Sequence, residues 1–167
     1  VGSLSSEVRE AKERVRVAMK NSGYLLPPKR ITVNLSPADI RKDGTSFDLP
    51  IAVAVLTAAG YLSREHTEEI LFVGELSLDG SVNPVNGVLP MVYEAKKQGF
   101  GYCMIPMENY REAAAVDGIV ILPVMNLHDV IRLAAKPERI YHELPEELEA
   151  DDSTVTYAEE DVVKEED

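Results

Sequence analysis

An α/β fold is predicted by three features of this 167-residue sequence. They are a long amphipathic helix near the start, a second helix that is apolar on nearly all sides, and strand and helix patterns that alternate afterwards. The length suits one domain with a buried core. The longest apolar stretch, residues 49–62, is interrupted by Pro50 and Gly60 and is shorter than the ~20 residues that a membrane span needs. With no secretory signal pattern and a single cysteine, Cys103, we expect a cytoplasmic domain with no membrane partner.

The first predicted elements are a helix over residues 5–22 and a strand over residues 31–35. Ser5 or Ser6 is placed to cap the helix, and Gly23 to end it. The strand is predicted because its residues alternate and are rich in β-branched side chains. The apolar residues of the helix recur at three- and four-residue intervals: Leu4, Val8, Ala11, Val15 and Ala18.

The following elements predict a buried helix, a hairpin and then βαβ crossovers. The helix covers residues 46–60 and should be central because it has no polar face. After a short helical piece, residues 70–78 and 81–85 are predicted to be paired strands around an Asp79-Gly80 turn. The remaining elements are a helix at 88–98, a strand at 102–105, a helix at 108–115, a strand at 119–124 and a helix at 126–135.

Charge divides the chain into two predicted parts. Residues 143–167 hold 12 Asp and Glu against one Lys, whereas residues 1–142 hold 17 acidic and 16 basic residues. We therefore predict a globular domain over 1–142 and an acidic linker or tail over 143–167. Residues 153–157 have strand propensity, and we expect them to pair with a sheet edge.

A polar loop, Asp43-Gly44-Thr45-Ser46, precedes the second helix. The structural interpretation is that Thr45 or Ser46 caps the helix, with Asp48 completing a capping box. The alternatives are a loop that binds an anion or a serine nucleophile at Ser46. A nucleophile needs a nearby base, and no histidine lies in a suitable sequence setting for that role. The histidines also lack the spacing of metal ligands. They are His66, His128 and His142. No metal site is predicted.

Basic residues form a stripe on the first helix, at spacings of three and four residues. The stripe and the nearby Lys29-Arg30 pair have two interpretations: a solvated helix face, with Glu10 and Arg14 as an ordinary pair, or a surface that contacts DNA phosphates without reading bases. Few aromatic residues accompany it, so no base-stacking platform is predicted. The stripe comprises Arg9, Lys12, Arg16 and Lys20.

Two separated segments resemble motifs of Lon peptidases. Residues 42–46 resemble the Lon loop that holds the catalytic serine, which places Ser46 at the nucleophile position. Residues 74–87 resemble a second Lon stretch that ends in a glycine pair. In Lon a leucine and the serine-activating lysine follow that pair, but Leu89 stands at the lysine position here. Because leucine accepts no proton, the resemblance implies an inherited fold without peptidase activity.

A closer resemblance is to the Lon-like N-terminal domain of the ComM/YifB family of magnesium chelatase-like AAA+ proteins. It covers residues 1 to about 135 and rests on five segments: residues 13–16, 20–23, 27–35, 44–52 and 74–80. It implies a Lon-type sheet with packed helices, with the first strands of the domain lying before Val1. It also implies a non-catalytic domain of an ATPase acting in DNA recombination, branch migration and natural competence.

The same resemblance implies partners and cofactors outside this chain. The sequence has no G-x-x-x-x-G-K-[ST] motif, so ATP and Mg²⁺ are expected in a separate AAA+ module. The expected partners are that module, further copies of the protein and DNA. The copies are expected to form a ring, with six as the candidate number of protomers. The alternatives are a Lon-type serine peptidase using Ser46 and a relative of the GHMP small-molecule kinases, whose longer phosphate loop is missing here.

Overall fold

The computed structural model describes residues 4–36, 39 and 41–135. The chain divides into two units, Val1–Pro137 and Glu138–Asp167, and the described helices and strands belong to the first. The predicted acidic tail, the boundary after residue 142 and the predicted strand at 153–157 lie outside the described residues.

Helices and strands alternate through the described part of the chain. In order they are α1 (Ser6–Asn21), α2 (Asp48–Ala58), α3 (Arg64–Thr67), β1 (Ile70–Phe72), β2 (Glu75–Leu76), β3 (Val82–Asn83), α4 (Val88–Lys97), β4 (Tyr102–Pro106), α5 (Tyr110–Ala114), β5 (Val120–Val124) and α6 (Leu127–Ala135). A single 3₁₀ turn, Met107–Asn109, leads into α5.

The central sheet is parallel, with β4 between β1 and β5. Ile70 aligns with Tyr102, and Tyr102 aligns with Val120. Parallel neighbours require crossovers, which α4 and α5 supply before and after β4. Residues 103–106 of β4 are all buried, as expected for a middle strand that is covered on both faces. The predicted α/β class is confirmed.

The predicted long strand over residues 70–78 is wrong, because the chain changes sheets at Val73 and Gly74. Val73 N–H still donates to Met104 of β4 at 3.0 Å, but Gly74 N–H donates to the carbonyl of Ser46 at 3.2 Å. Leu49 N–H donates in return to the Gly74 carbonyl at 3.0 Å. Gly74 therefore bonds to the start of α2 instead of the sheet, and β2 pairs separately with β3 in the predicted hairpin.

Helices α1 and α2 pack on each other and lie where the sequence predicts them. Ser5 caps α1 by accepting a hydrogen bond from Val8 N–H, and Gly23 follows the helix with a φ of 84°. The inward face of α1 is buried, whereas α2 is buried on most of its circumference. This agrees with the amphipathic pattern of the first helix and the apolar pattern of the second.

The predicted strand over residues 31–35 is wrong. Residues 31–35 belong to none of the strands in the described part of the chain. Their alternation remains visible, since Val33 and Leu35 are half-buried while Thr32 and Asn34 are exposed. A strand requires a hydrogen-bonded neighbour, which an alternating sequence by itself does not provide.

Candidate functional site

The carboxylate of Asp48 joins three segments that are far apart in the sequence. Asp48 is the first residue of α2 and is completely buried. It accepts two hydrogen bonds from the guanidinium of Arg14, from Nε at 2.8 Å and from Nη2 at 2.9 Å. It also accepts the backbone N–H of Leu76 at 3.0 Å. A fork-shaped pair of this kind is among the stronger protein hydrogen bonds.

Asp48 also raises the pKa of Arg14. The largest cause is the hydrogen bond to the carboxylate, against which burial acts in the opposite direction. The predicted Glu10–Arg14 pair is longer, at 3.8 Å, with Glu10 mostly exposed. Asp48 is therefore the principal partner of Arg14. The sequence pattern had predicted Glu10 for that role.

The predicted capping role of Thr45 and Ser46 is wrong. Phe47 occupies the N-cap position of α2, and no side chain caps the helix there. The carbonyl of Thr45 accepts Asp48 N–H at 3.2 Å, which is a backbone turn. A capping box with Asp48 is excluded too, because that carboxylate bonds to Arg14 and Leu76.

The first two residues of the motif loop, Asp43 and Gly44, are exposed, whereas Lys42 just before them is buried. The carboxylate of Asp43 accepts a hydrogen bond from Arg41 Nε at 3.0 Å, and both side chains are about two-thirds exposed. Gly44 has a φ of 79°, which favours glycine. Ser46 is half-buried and connects through its carbonyl to Gly74. The two Lon-like motifs are thus neighbours in space.

Ser46 lies at an open, mainly apolar cavity of about 470 Å³. Among the described residues, neither lysine nor histidine lines it, and Glu94 is its one ionisable side chain. The lining residues are Ser46, Phe47, Pro50, Leu71, Phe72, Val73, Pro90, Met91, Glu94, Ala95, Gln98 and Phe100.

Leu89 does not line this cavity. It lies in the first turn of α4 with 41% of its surface exposed, and its backbone N–H donates to Glu112 at 3.0 Å. Lys97, further along α4, pairs with Glu94 at 3.4 Å and lies over the Tyr93 ring. No lysine is among the described residues that line the cavity at Ser46.

The two histidines among the described residues lie in different helices. His66 is exposed on α3, His128 Nδ1 lies 2.9 Å from the hydroxyl of Tyr24, and His142 is outside the described residues. A search of the described residues finds no group of His, Cys, Asp or Glu arranged to hold a metal ion. It also finds no helix that is long and apolar enough to cross a membrane.

The basic stripe of α1 borders a groove of about 840 Å³. All four stripe residues are exposed: Arg9, Lys12, Arg16 and Lys20. The lining also includes buried apolar side chains of α1 and α2 and most of residues 24–35, among them Lys29 and Arg30. The structure therefore brings together the six basic residues singled out in the sequence, at the rim of a concave surface.

One buried polar residue was not identified from the sequence. Asn109 accepts Val85 N–H and donates to the Val85 carbonyl, both at 3.0 Å. It fixes the loop between β3 and α4, so it positions Leu89 and the cavity wall indirectly. Asparagine is common in loops, and nothing in the sequence pattern separates this one from the others.

Comparisons with known proteins connect the motifs to a family. Residues 1–109 match the model of the family described as subunit ChlI of Mg-chelatase. The chain is 39% identical over 140 residues to the competence protein ComM of Haemophilus influenzae, covering 84% of this chain and 27% of that protein. It is 42% identical over 118 residues to the uncharacterized protein YifB of Escherichia coli, covering 71% of this chain and 23% of that protein.

A more distant similarity supports the Lon-type fold. The chain is 29% identical over 138 residues to Lon protease 2 of Bacillus subtilis, covering 78% of this chain and 24% of that protein. The chain spans about a quarter of the length of the curated relatives it matches.

Proposed function

Since the chain belongs to the ComM/YifB family of Mg-chelatase ChlI-like proteins, we propose that it is the non-catalytic, DNA-facing Lon-like domain of an AAA+ ATPase. The activity of that ATPase would be in recombination, branch migration and competence; the ComM relative is itself named a competence protein. The observation that supports the DNA-facing role is the groove beside α1, whose lining includes six basic side chains.

Leu89 supports the non-catalytic part of the proposal. A serine nucleophile requires a base in hydrogen-bond reach. The described cavity wall around Ser46 holds neither lysine nor histidine, and Glu94 is engaged by Lys97 and Gln98. Ser46 and its neighbours in the loop are then structural remnants of a peptidase site.

The basic rim supports contact with phosphates. Lys12 and Lys20 are exposed and make no ion pair with another described residue. Arg16 pairs with the exposed Glu13, an arrangement that costs little to break. At 0.1 M salt the Debye length is about 10 Å, so local charges decide contact affinity more than the net charge does.

Other parts of the proposal concern the rest of the protein. ATP and Mg²⁺ belong to the AAA+ module, whose P-loop motif this sequence does not contain. The proposed partners are that module and further protomers, assembled in a ring for which six is the candidate number of protomers. The proposed location is the cytoplasm.

Charge reversal tests the DNA contact. The triple variant Arg9→Glu, Lys12→Glu and Arg16→Glu should weaken binding to a fluorescein-labelled branched DNA at least about tenfold. It should also reduce the magnitude of the slope of log affinity against log salt concentration by about 3, since each lost phosphate contact removes about 0.9 from that slope. The binding is measured by fluorescence anisotropy between 50 and 200 mM NaCl, a range suggested by the usual salt sensitivity.

A matched control has the same charge change elsewhere on the surface. Arg64→Glu, Lys96→Glu and Lys97→Glu reverse three exposed charges outside the groove. This control should bind nearly as wild type does. If both triple variants bind alike, the groove is not the DNA-binding surface.

A further inference from the structure

We propose that Asn86 is a site of spontaneous deamidation, in which the backbone nitrogen of Gly87 attacks the side-chain amide of Asn86. The reaction turns a neutral residue of the loop between β3 and α4 into an anionic one. It goes beyond the proposed DNA-facing function and does not depend on it. The chain holds six asparagines, all within the described residues, and the structure separates Asn86 from the other five.

Deamidation sets strict conditions on the neighbouring atoms. The backbone nitrogen of the following residue loses its proton and bonds to the asparagine Cγ, and the side-chain nitrogen takes up a proton and leaves as ammonia. Water then opens the cyclic imide at either of its carbonyl carbons, which gives aspartate or isoaspartate. A thermolabile asparagine therefore has an accessible amide and is followed by a small residue whose N–H makes no hydrogen bond.

The Asn86-Gly87 pair meets these conditions. Both residues are exposed, and among the described residues no hydrogen-bond partner engages the Asn86 amide or the Gly87 N–H. Gly87 carries no side chain, and even a Cβ built there would meet nothing within 4 Å. Its φ of 76° favours glycine over other residues. The attacking nitrogen is thus unhindered and makes no competing hydrogen bond.

Two of the other asparagines are protected at the side-chain amide. Asn109 is buried, and its oxygen and nitrogen both bond to the backbone of Val85 at 3.0 Å. The side-chain nitrogen of Asn21 donates to the Leu78 carbonyl at 2.7 Å. These bonds hold each amide in place, so Cγ is not free to meet the next backbone nitrogen.

The remaining three asparagines lack a usable nucleophile. Asn83 is followed by Pro84, whose nitrogen carries no proton. The backbone N–H of the residue after Asn126 already donates to the Gly80 carbonyl at 3.0 Å. Asn34 is exposed, but a leucine follows it and its branched side chain crowds the nitrogen. Asn34 is therefore the natural control for exposure without a glycine.

Asn86 lies between two fixed segments. Val85 is held by the two hydrogen bonds to Asn109, and Val88, the first residue of α4, is completely buried. The first turn of α4 has no acidic residue, and a helix N-terminus favours an anion. Deamidation places a carboxylate just before that helix and adds one negative charge to the formal net charge of −12.

Site-resolved mass spectrometry tests the proposal. The 167-residue chain is incubated at 37 °C and pH 9, folded or in guanidinium chloride, and is then digested at acidic pH to prevent further conversion. Tandem fragmentation measures conversion at each asparagine. In the folded chain, Asn86 should convert at least about tenfold faster than any other asparagine, which corresponds to a barrier lower by about 1.4 kcal/mol or more.

The comparison with the unfolded chain isolates the contribution of the structure. Because the fold leaves the Asn86-Gly87 pair open, Asn86 should convert at a similar rate in both states. Conversion at Asn86 that begins only in guanidinium chloride would show that the fold protects it and would overturn the proposal. Conversion in the folded chain that is as fast at Asn34 would overturn it too.

A pair of variants checks the assignment by the ammonia released. Asn86→Gln should abolish most of the early release from the folded chain, because glutamine must close a larger ring. Asn34→Gln is the matched control and should release ammonia as wild type does. Circular dichroism checks that both variants fold, which the exposure of the two residues favours. Asp-Gly pairs form the same imide but lose water, so they do not contribute to this signal. Equal ammonia release from Asn86→Gln and wild type would contradict the proposal.

Discussion

At the scale of residues, Asp48 explains why the family motifs lie where they do. Its carboxylate is fully buried and bonds to Arg14 and to Leu76 N–H. A buried charge is costly unless a partner and further hydrogen bonds compensate it. The pair therefore ties α1, α2 and the β2–β3 hairpin into one arrangement.

Replacing Arg14 by Met should lower the free energy of unfolding by about 2–4 kcal/mol, because it leaves the Asp48 carboxylate buried without its cation. The lower part of the range allows for the fifth of the Arg14 side chain that is exposed. Urea unfolding at pH 7 measures the change. Arg16→Met is the control, with an expected loss within about 1 kcal/mol for an exposed pair, and equal losses would contradict the role of Asp48.

The buried thiol of Cys103 should make the domain less stable at alkaline pH. Burial raises the pKa of its thiol from 9.0 to about 12. Because the pKa is raised in the folded state, the contribution to stability is complete below pH 9 and is lost as pH rises toward 12. Between pH 8 and pH 10.5, wild type should lose about 2 kcal/mol more than Cys103→Ala does.

Urea unfolding of both proteins across that pH range measures the difference. Comparison with Cys103→Ala removes the contribution of tyrosines, including Tyr24, whose pKa is raised by burial. Parallel pH dependences of the two proteins would show that the thiol does not titrate differently on folding.

At the scale of elements, Gly74 decides where the parallel sheet ends. The residue exchanges backbone hydrogen bonds with the start of α2 through Ser46 and Leu49. A Cβ at this position would lie 2.9 Å from Val82 Cγ1 and 3.3 Å from Leu49 Cδ2. The helix and the hairpin approach this closely because glycine leaves the space empty.

Gly74→Ala should therefore destabilise the domain by about 1–3 kcal/mol, the usual cost of forcing atoms into a packed site. Gly101→Ala is the matched control, because a Cβ there meets nothing within 4 Å. The control should be neutral or slightly stabilising, since alanine restricts the unfolded chain. Urea midpoints of the two variants give the comparison, and a loss in Gly101→Ala as large as that in Gly74→Ala would refute the steric explanation.

At the scale of the whole molecule, the two proposed surfaces involve different chemistry. The cavity at Ser46 is apolar and its lining includes no basic side chain, whereas the groove beside α1 has basic residues along its rims. The described lining at Ser46 lacks the lysine or histidine that would activate a serine, whereas the groove carries the positive charge that phosphates attract.

Ser46→Ala should consequently leave the degradation of an unfolded protein unchanged. Fluorescein-labelled casein is a suitable substrate, and both wild type and variant should release label at the rate of buffer alone. The reason is that neither lysine nor histidine lines the described cavity wall, and Glu94, its one carboxylate, is engaged by Lys97 and Gln98. Measurable degradation by wild type that disappears in Ser46→Ala would restore the peptidase alternative.

The sequence by itself determined the α/β class, both long helices, the hairpin turn and the family, because helical periodicity and motif spacing are local properties of the chain. Only the tertiary structure decided that residues 31–35 belong to none of the described strands, that the strand at residue 70 ends before Gly74, and that Phe47 is the N-cap of α2. The six basic residues were predicted as a set, but their place at the rim of an apolar groove was not. The features that only the structure shows depend on which distant segments meet. They include strand pairing, the bond between Asp48 and Arg14, and the shape of the groove. A pattern within one segment carries no information about the segments that will lie beside it.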